Sequence, residues 1–246
     1  MQLLVEFKLY QSRDPHRGRV FATDFLEHVS NEKAIETTGQ IERYSAAQFT
    51  RQFRLFAHVM GVYGPVARVT IVDPSGWLVS REYRYLENAR PLLEFLWRYN
   101  HLSDEERGFD PTAVTATNAE RIAFFRALRQ YVKCVKAGER HPVPLMHAGD
   151  HKGYPVQKVA VRDEISGKTS YYIVAKPDGD SMSPFGPCTR RYVALPAGSK
   201  YAHRLVHMKD TWRTADYGLQ SETSIHREMS SMSVPHLSNL IRGGDV

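Results

Sequence analysis

Val206-His207-Met208-Lys209-Asp210-Thr211-Trp212-Arg213 organises the second half of this chain. Alternating apolar and polar residues predict a strand that ends on lysine, and Glu222 follows Lys209 after thirteen residues, at the start of a helix. Side chains alternate along a strand, so Val206 and Met208 share one face and His207 and Lys209 the other. With Val206 and Met208 packed under the helix, Lys209 would face an open cleft. The helix is expected over residues 217–229, with Ile225 and Met229 on its apolar side.

Working backwards, residues 156–162 and 169–175 flank the turn at 164–168 and predict a hairpin. Residues 177–187 are rich in Gly, Pro, Ser and Asp and predict a loop. Residues 191–195 and 204–209 are two further strands around the turn Pro196-Ala197-Gly198-Ser199. The order is strand, glycine-containing loop, strand, turn, strand, helix.

In the first half, residues 3–9 predict a strand with Glu6 and Lys8 on one face, and a polar loop follows from Ser12 to about Gly18. A helix is expected over 41–56 after a start at Gly39, on the spacing of Ile41, Tyr44, Ala47, Phe49, Phe53 and Phe56. Residues 57–63, 67–72 and 77–81 predict strands, the last two joined by Asp73-Pro74-Ser75-Gly76. Helices are expected over 88–100 and 118–132, each opening on an Asn cap, with a loop over 103–117. The fold class is α+β, with an α/β domain over 1–140 and a second domain over 150–246, the boundary falling within 137–151.

The 246 residues are 42% hydrophobic and 24% charged, which excludes wholesale disorder. No apolar run approaches the ~20 residues a membrane helix needs. Cys134 and Cys188 are far apart, so neither a disulfide framework nor a zinc cluster is expected, and an intracellular setting, cytoplasm or nucleus, fits best. The net charge of +6 is spread evenly, 20 Lys and Arg against 17 Asp and Glu up to residue 140 and 13 against 10 beyond it. Without a basic cluster, nucleic acid is an unlikely partner. The apolar run near the start and the ending soon after Ile241 make the sequence read as a piece of a longer protein.

Several motifs fail on spacing. Gly167-Lys168-Thr169 lacks the glycine five residues earlier that a phosphate loop needs, since Arg162 stands there. Gly179-Asp180-Ser181-Met182-Ser183 lacks the second glycine of a nucleophile elbow. His141, His147 and His151, with Asp150, match no zinc spacing and are read as surface histidines, and no metal site is assigned.

A strand lysine paired with a helix glutamate can hold the α and β phosphates of ATP, the ammonium neutralising charge and the carboxylate fixing the ammonium. The alternative for the same two residues is a surface salt bridge. Cys188-Thr189-Arg190-Arg191-Tyr192-Val193-Ala194, Lys209-Asp210-Thr211-Trp212-Arg213, Val234-Pro235-His236-Leu237 and Gly243-Gly244-Asp245-Val246 together resemble the small lobe of the fungal-type protein kinases. The first half resembles that family's N-terminal region through Gly39-Gln40-Ile41-Glu42-Arg43-Tyr44, Ala67-Arg68-Val69, Trp97-Arg98 and Arg107-Gly108-Phe109-Asp110-Pro111-Thr112. The resemblance implies ATP with Mg as cofactor, transfer of its γ-phosphate to a protein hydroxyl, Lys209 as the ATP-binding lysine, Glu222 as its partner, and Gly186 and Thr189 on the phosphate-covering loop. Two features depart from the family. Phe185-Gly186-Pro187-Cys188-Thr189 has one glycine, and Pro187 has no N–H to offer a phosphate. The chain stops at Val246, before a large lobe with its two catalytic aspartates. A non-catalytic interaction module is therefore the alternative from another class.

Glu6-x-Lys8 on a strand, then a helix with Gln40 and Tyr44, then another strand, is also the order of a restriction-endonuclease-like core, in which a carboxylate binds magnesium and a lysine activates water. The metal-binding aspartate of that core should come before this carboxylate, and only five residues precede Glu6. A magnesium-dependent nuclease is the third possibility.

Overall fold

The computed structural model describes residues 3–16, 31–136, 151, 153–178, 183–198, 205–214 and 218–244. Among these residues the structure is mixed α and β, with two sheets and four α-helices. The chain divides into two compact units, Met1–Asp110 with Asp180–Thr189, and Pro111–Gly179 with Arg190–Val246.

The first unit holds β1 (Leu4–Lys8), α1 (Glu32–Arg51), β2 (Ala57–Tyr63), β3 (Val66–Asp73), β4 (Gly76–Val79) and α2 (Arg90–His101), and its sheet runs β1-β2-β3-β4. β1 and β2 are parallel, with α1 as their crossover, and the remaining pairs are antiparallel. α1 starts earlier than the sequence pattern suggested. Asn31 caps it by accepting from the Ala34 N–H at 2.8 Å, and Gly39 sits inside the helix rather than at its start. Ile41 and Phe49 of α1 pack on Leu4, Ala57, Val59 and Val72, so one helix face closes over one sheet face. Truncating Ile41 to alanine would cost about 2–5 kcal/mol. Asp73 closes the β3–β4 turn, its Oδ1 accepting from Ser75 N at 2.7 Å and Gly76 N at 3.0 Å.

α2 is seated by an aromatic cluster. His58 of β2 lies edge-on to Phe56 and Tyr99, ring centroids 5.5 and 5.3 Å away, with Phe95 at 6.4 Å. Nearby, the guanidinium of Arg54, 1% exposed, donates to the Arg107 carbonyl at 2.7 Å and to Gln52 at 2.6 Å, and lies 4.0 Å over the Phe109 ring. Gly108 brings this loop in at φ +90°, where a Cβ would meet the Phe56 carbonyl oxygen at 2.1 Å.

The second unit holds β5 (Ala113–Thr115), α3 (Asn118–Lys136), β6 (Gln157–Arg162), β7 (Thr169–Val174), β8 (Arg190–Pro196), β9 (Val206–Asp210) and α4 (Glu222–Ser231), with an antiparallel sheet in the order β5-β6-β7-β8-β9. Phe124, Leu128 and Tyr131 of α3 pack on Val156, Ile173, Val193 and Leu195. This differs from the division at 1–140 and 150–246, which left α3 with the first half: its apolar stripe is buried on the second sheet, and residues 137–150 lie outside the described residues. β5 lies within the expected 103–117 loop, where three residues pairing with Gln157–Val159 carry too short a pattern to be read. Thr117, not Asn118, caps α3 through a reciprocal box, Thr117 N donating to Glu120 Oε2 at 2.8 Å and Glu120 N to Thr117 Oγ1 at 3.3 Å.

Candidate functional site

Lys209 is next to last in β9, and Glu222 is the first residue of α4, whose N-cap Ser221 accepts from Ser224 N at 3.0 Å. The Lys209 ammonium donates to Glu222 Oε2 at 2.5 Å, with side chains 40% and 63% exposed. The sequence reading paired these two residues, with a surface salt bridge as the alternative role, and the structure bonds them. At this exposure it is worth about 0–1 kcal/mol, so its interest lies in geometry rather than stability.

The surroundings of Lys209 differ from expectation in one respect. Lys209 pairs with Arg191 and His207 with Val193, so Lys209 shares its sheet face with Val193, which is buried under α3. The face expected to be open is covered toward Val193 and Leu195 and opens at Arg191 and Lys209, whose side chains are 54% and 40% exposed.

Gly186 and Thr189 belong to the first unit, whereas Lys209 and Glu222 belong to the second. The Gly186 N–H donates to the Pro74 carbonyl at 2.9 Å, so it is engaged within its own unit, and its φ of +81° makes the turn there. Thr189 is half-buried directly before β8. The Gly186 N–H is thus taken by a backbone carbonyl, and Lys209 and Glu222 are the two expected site residues that bond to each other.

A second cluster lies under α1. Lys8 reaches Glu6 at 2.7 Å and the Gln40 side-chain oxygen at 2.5 Å, and the Glu6 and Lys8 side chains are mostly buried. Tyr44, the other expected member, is 43% exposed. Tyr63 occupies the space over Gly61, where a Cβ would stand 2.3 Å from its hydroxyl. Burial first, then the charges of Asp14 and Glu6, push that phenol above its ordinary range. Asp14, whose charge reaches the same phenol, is fully buried and engaged by Arg68 Nε at 2.8 Å and His16 N at 2.9 Å. Among the described residues, no group of three or more His, Cys, Asp or Glu side chains that could hold a metal comes together.

His151 is not on the surface: it is 6% exposed, accepts from Lys176 N at 3.1 Å and stands edge-on to Phe124. His141, His147, Asp150 and residues 179–182 of the Gly179–Ser183 motif lie outside the described residues. Gly167 turns the β6–β7 hairpin at φ +66°. Among the described residues, no helix is long and apolar enough to cross a membrane.

Sequence reasoning did not assign a site role to Asp163, Glu164 or Arg227, which hold α4 by hydrogen-bonded ion pairs. No spacing in the sequence marks them, because tertiary structure alone brings them to the Gly243-Gly244 segment, where a Cβ on Gly243 would meet Thr223 and one on Gly244 would meet Arg162 and Glu164. Compared with models of protein families, with curated proteins and with solved structures, the chain finds no match.

Proposed function

We propose that this chain is the N-terminal part of a fungal-type protein kinase, in which the second unit acts as a small lobe that holds the phosphates of ATP. The single observation behind this is the strand-to-helix pair of Lys209 and Glu222 at 2.5 Å. Glu222 orients the ammonium, and the ammonium neutralises phosphate charge when the nucleotide, with its magnesium, is bound. The family activity is phosphorylation of protein hydroxyls. No residue of this chain is assigned as the aspartate that accepts the hydroxyl proton or as the aspartate that binds magnesium, so the chain alone carries no phosphotransferase activity.

An acyl-phosphate derivative of ATP, which acylates a lysine beside the bound phosphates, tests this. Labelling should fall on Lys209 and be suppressed by excess ATP. Labelling spread evenly over the exposed lysines would refute it.

A second proposal concerns the first unit, where Glu6, Lys8 and Gln40 meet beneath a parallel β1-α1-β2 crossover. This supports a nuclease-like scaffold in which, among the described residues, no second carboxylate joins Glu6 as a metal ligand.

A further inference from the structure

α4 buries none of its side chains, and Ile225 and Met229 on its apolar stripe are 43% and 36% exposed. Apolar packing is therefore a weak anchor, and a polar network joins the helix to the turn between β6 and β7. Arg227 Nη2 donates to Asp163 Oδ2 at 3.1 Å and to the Gly243 carbonyl at 3.4 Å, while Nη1 donates to Glu164 Oε1. Ser221 donates to Glu164 Oε2 at 3.1 Å, and Glu164 N donates to the Gly243 carbonyl at 3.1 Å.

The segment around Gly243 threads between helix and turn. A Cβ on Gly243 would stand 2.3 Å from Thr223 Cγ2, and one on Gly244 would stand 2.9 Å from both the Arg162 carbonyl oxygen and Glu164 Cβ. Glu222 and Arg227 are five residues apart, about 140° around the helix axis. The helix is therefore held from two directions, by Lys209 through Glu222 and by the hairpin turn through Arg227. Removing the second hold frees α4 to rotate and carries Glu222 away from Lys209.

We propose that Arg227 is the positioning residue of the Lys209–Glu222 pair, closing a polar clamp with Asp163, Glu164 and the Gly243 carbonyl that fixes the rotation of α4. Its importance for nucleotide rests on the function proposed above; the clamp itself does not. A cavity of about 370 Å³, lined by Asp163, Arg227, Ser230 and residues 239–241 among others, borders the clamp. Ions entering there screen its charges, so high salt loosens the pair.

The test is acylation of the full chain by acetic anhydride, read at Lys209 by mass spectrometry, with exposed Lys33 as internal reference and circular dichroism as the check on folding. Arg227→Ala should raise Lys209 acylation about two- to fivefold, the range for loss of such an ion pair. Arg227→Lys should fall between the two, because one ammonium cannot reproduce a planar fork that reaches two carboxylates and a carbonyl. If Arg227→Ala does not fold, Glu164→Ala, which removes one arm of the clamp, should raise acylation by a smaller factor. An unchanged Lys209 rate in folded Arg227→Ala, or otherwise in Glu164→Ala, overturns the clamp. MgATP added to the wild-type chain separates the two proposals: failure to protect Lys209 removes the nucleotide function and leaves the clamp, whereas protection with an unchanged variant rate does the reverse.

Discussion

Lys209, near the end of β9, donates to Glu222 across 2.5 Å, although Glu222 opens a helix that buries no side chain of its own. Such a pair is cheap to break thermodynamically and decisive geometrically. Its removal should register in ligand contacts and lysine reactivity before it registers in stability.

Glu222→Gln should accordingly change the unfolding free energy by less than about 1 kcal/mol, because both side chains are well exposed and an exposed ion pair stabilises little. Urea denaturation measures this. A loss beyond about 2 kcal/mol would mean that the pair supports the fold of the second unit.

Two glycines of the first unit should respond in opposite directions. Gly108→Ala places a Cβ 2.1 Å from the Phe56 carbonyl oxygen at φ +90°, and should destabilise by about 2–4 kcal/mol. Gly39→Ala, inside α1 with nothing within 4 Å of the new Cβ, should stabilise by about 0.5–1 kcal/mol. Equal effects in the two variants, compared by thermal or urea unfolding, would contradict the backbone geometry at both sites.

Much of the fold was legible where local pattern and tertiary packing agree. β2 was expected at its observed bounds, and the Asp73-Pro74-Ser75-Gly76 turn carries its own hydrogen-bonding chemistry. The start of α1 was missed because Gly39 is poor helix material in isolation; the Asn31 cap and the burial of Ala34 and Thr37 carry the helix through it. α3 was read with the first half, although it packs on the second sheet, because an amphipathic stripe says that a face is buried and not against which sheet. The Lys209–Glu222 pair was legible from spacing. The clamp around Arg227 was not, because residues 163, 227 and 243 are brought together only by tertiary structure. Gly186 and Thr189 were named from the family resemblance, which does not reveal that Gly186 is already bonded to Pro74.

Stability should fall with pH through His58. Burial first, and the charge of Arg54 second, hold its imidazole below the ordinary histidine range. As pH falls, the unfolded chain takes up this proton before the folded one. The stabilisation is therefore present above about pH 6.5 and is lost as pH drops from there to the lowered folded value. Urea midpoints from pH 8 to 5 should fall more steeply for the wild type than for His58→Leu. Parallel curves would assign the titration elsewhere.

Incubation with single- or double-stranded DNA in magnesium should give no cleavage. Glu6 supplies one carboxylate, and Asp14 is engaged by Arg68 and His16 N. Cleavage lost in Glu6→Ala would make the Glu6, Lys8 and Gln40 cluster a working nuclease centre.

The proposed phosphate-holding role of Lys209 is tested most directly by ligand-observed NMR titration of MgATP against the full chain and its Lys209→Met variant. The account predicts weak binding, roughly millimolar, as befits an open half-pocket, and a clear loss of that binding in Lys209→Met. Equal binding by the two chains, or none by the wild type, would contradict it.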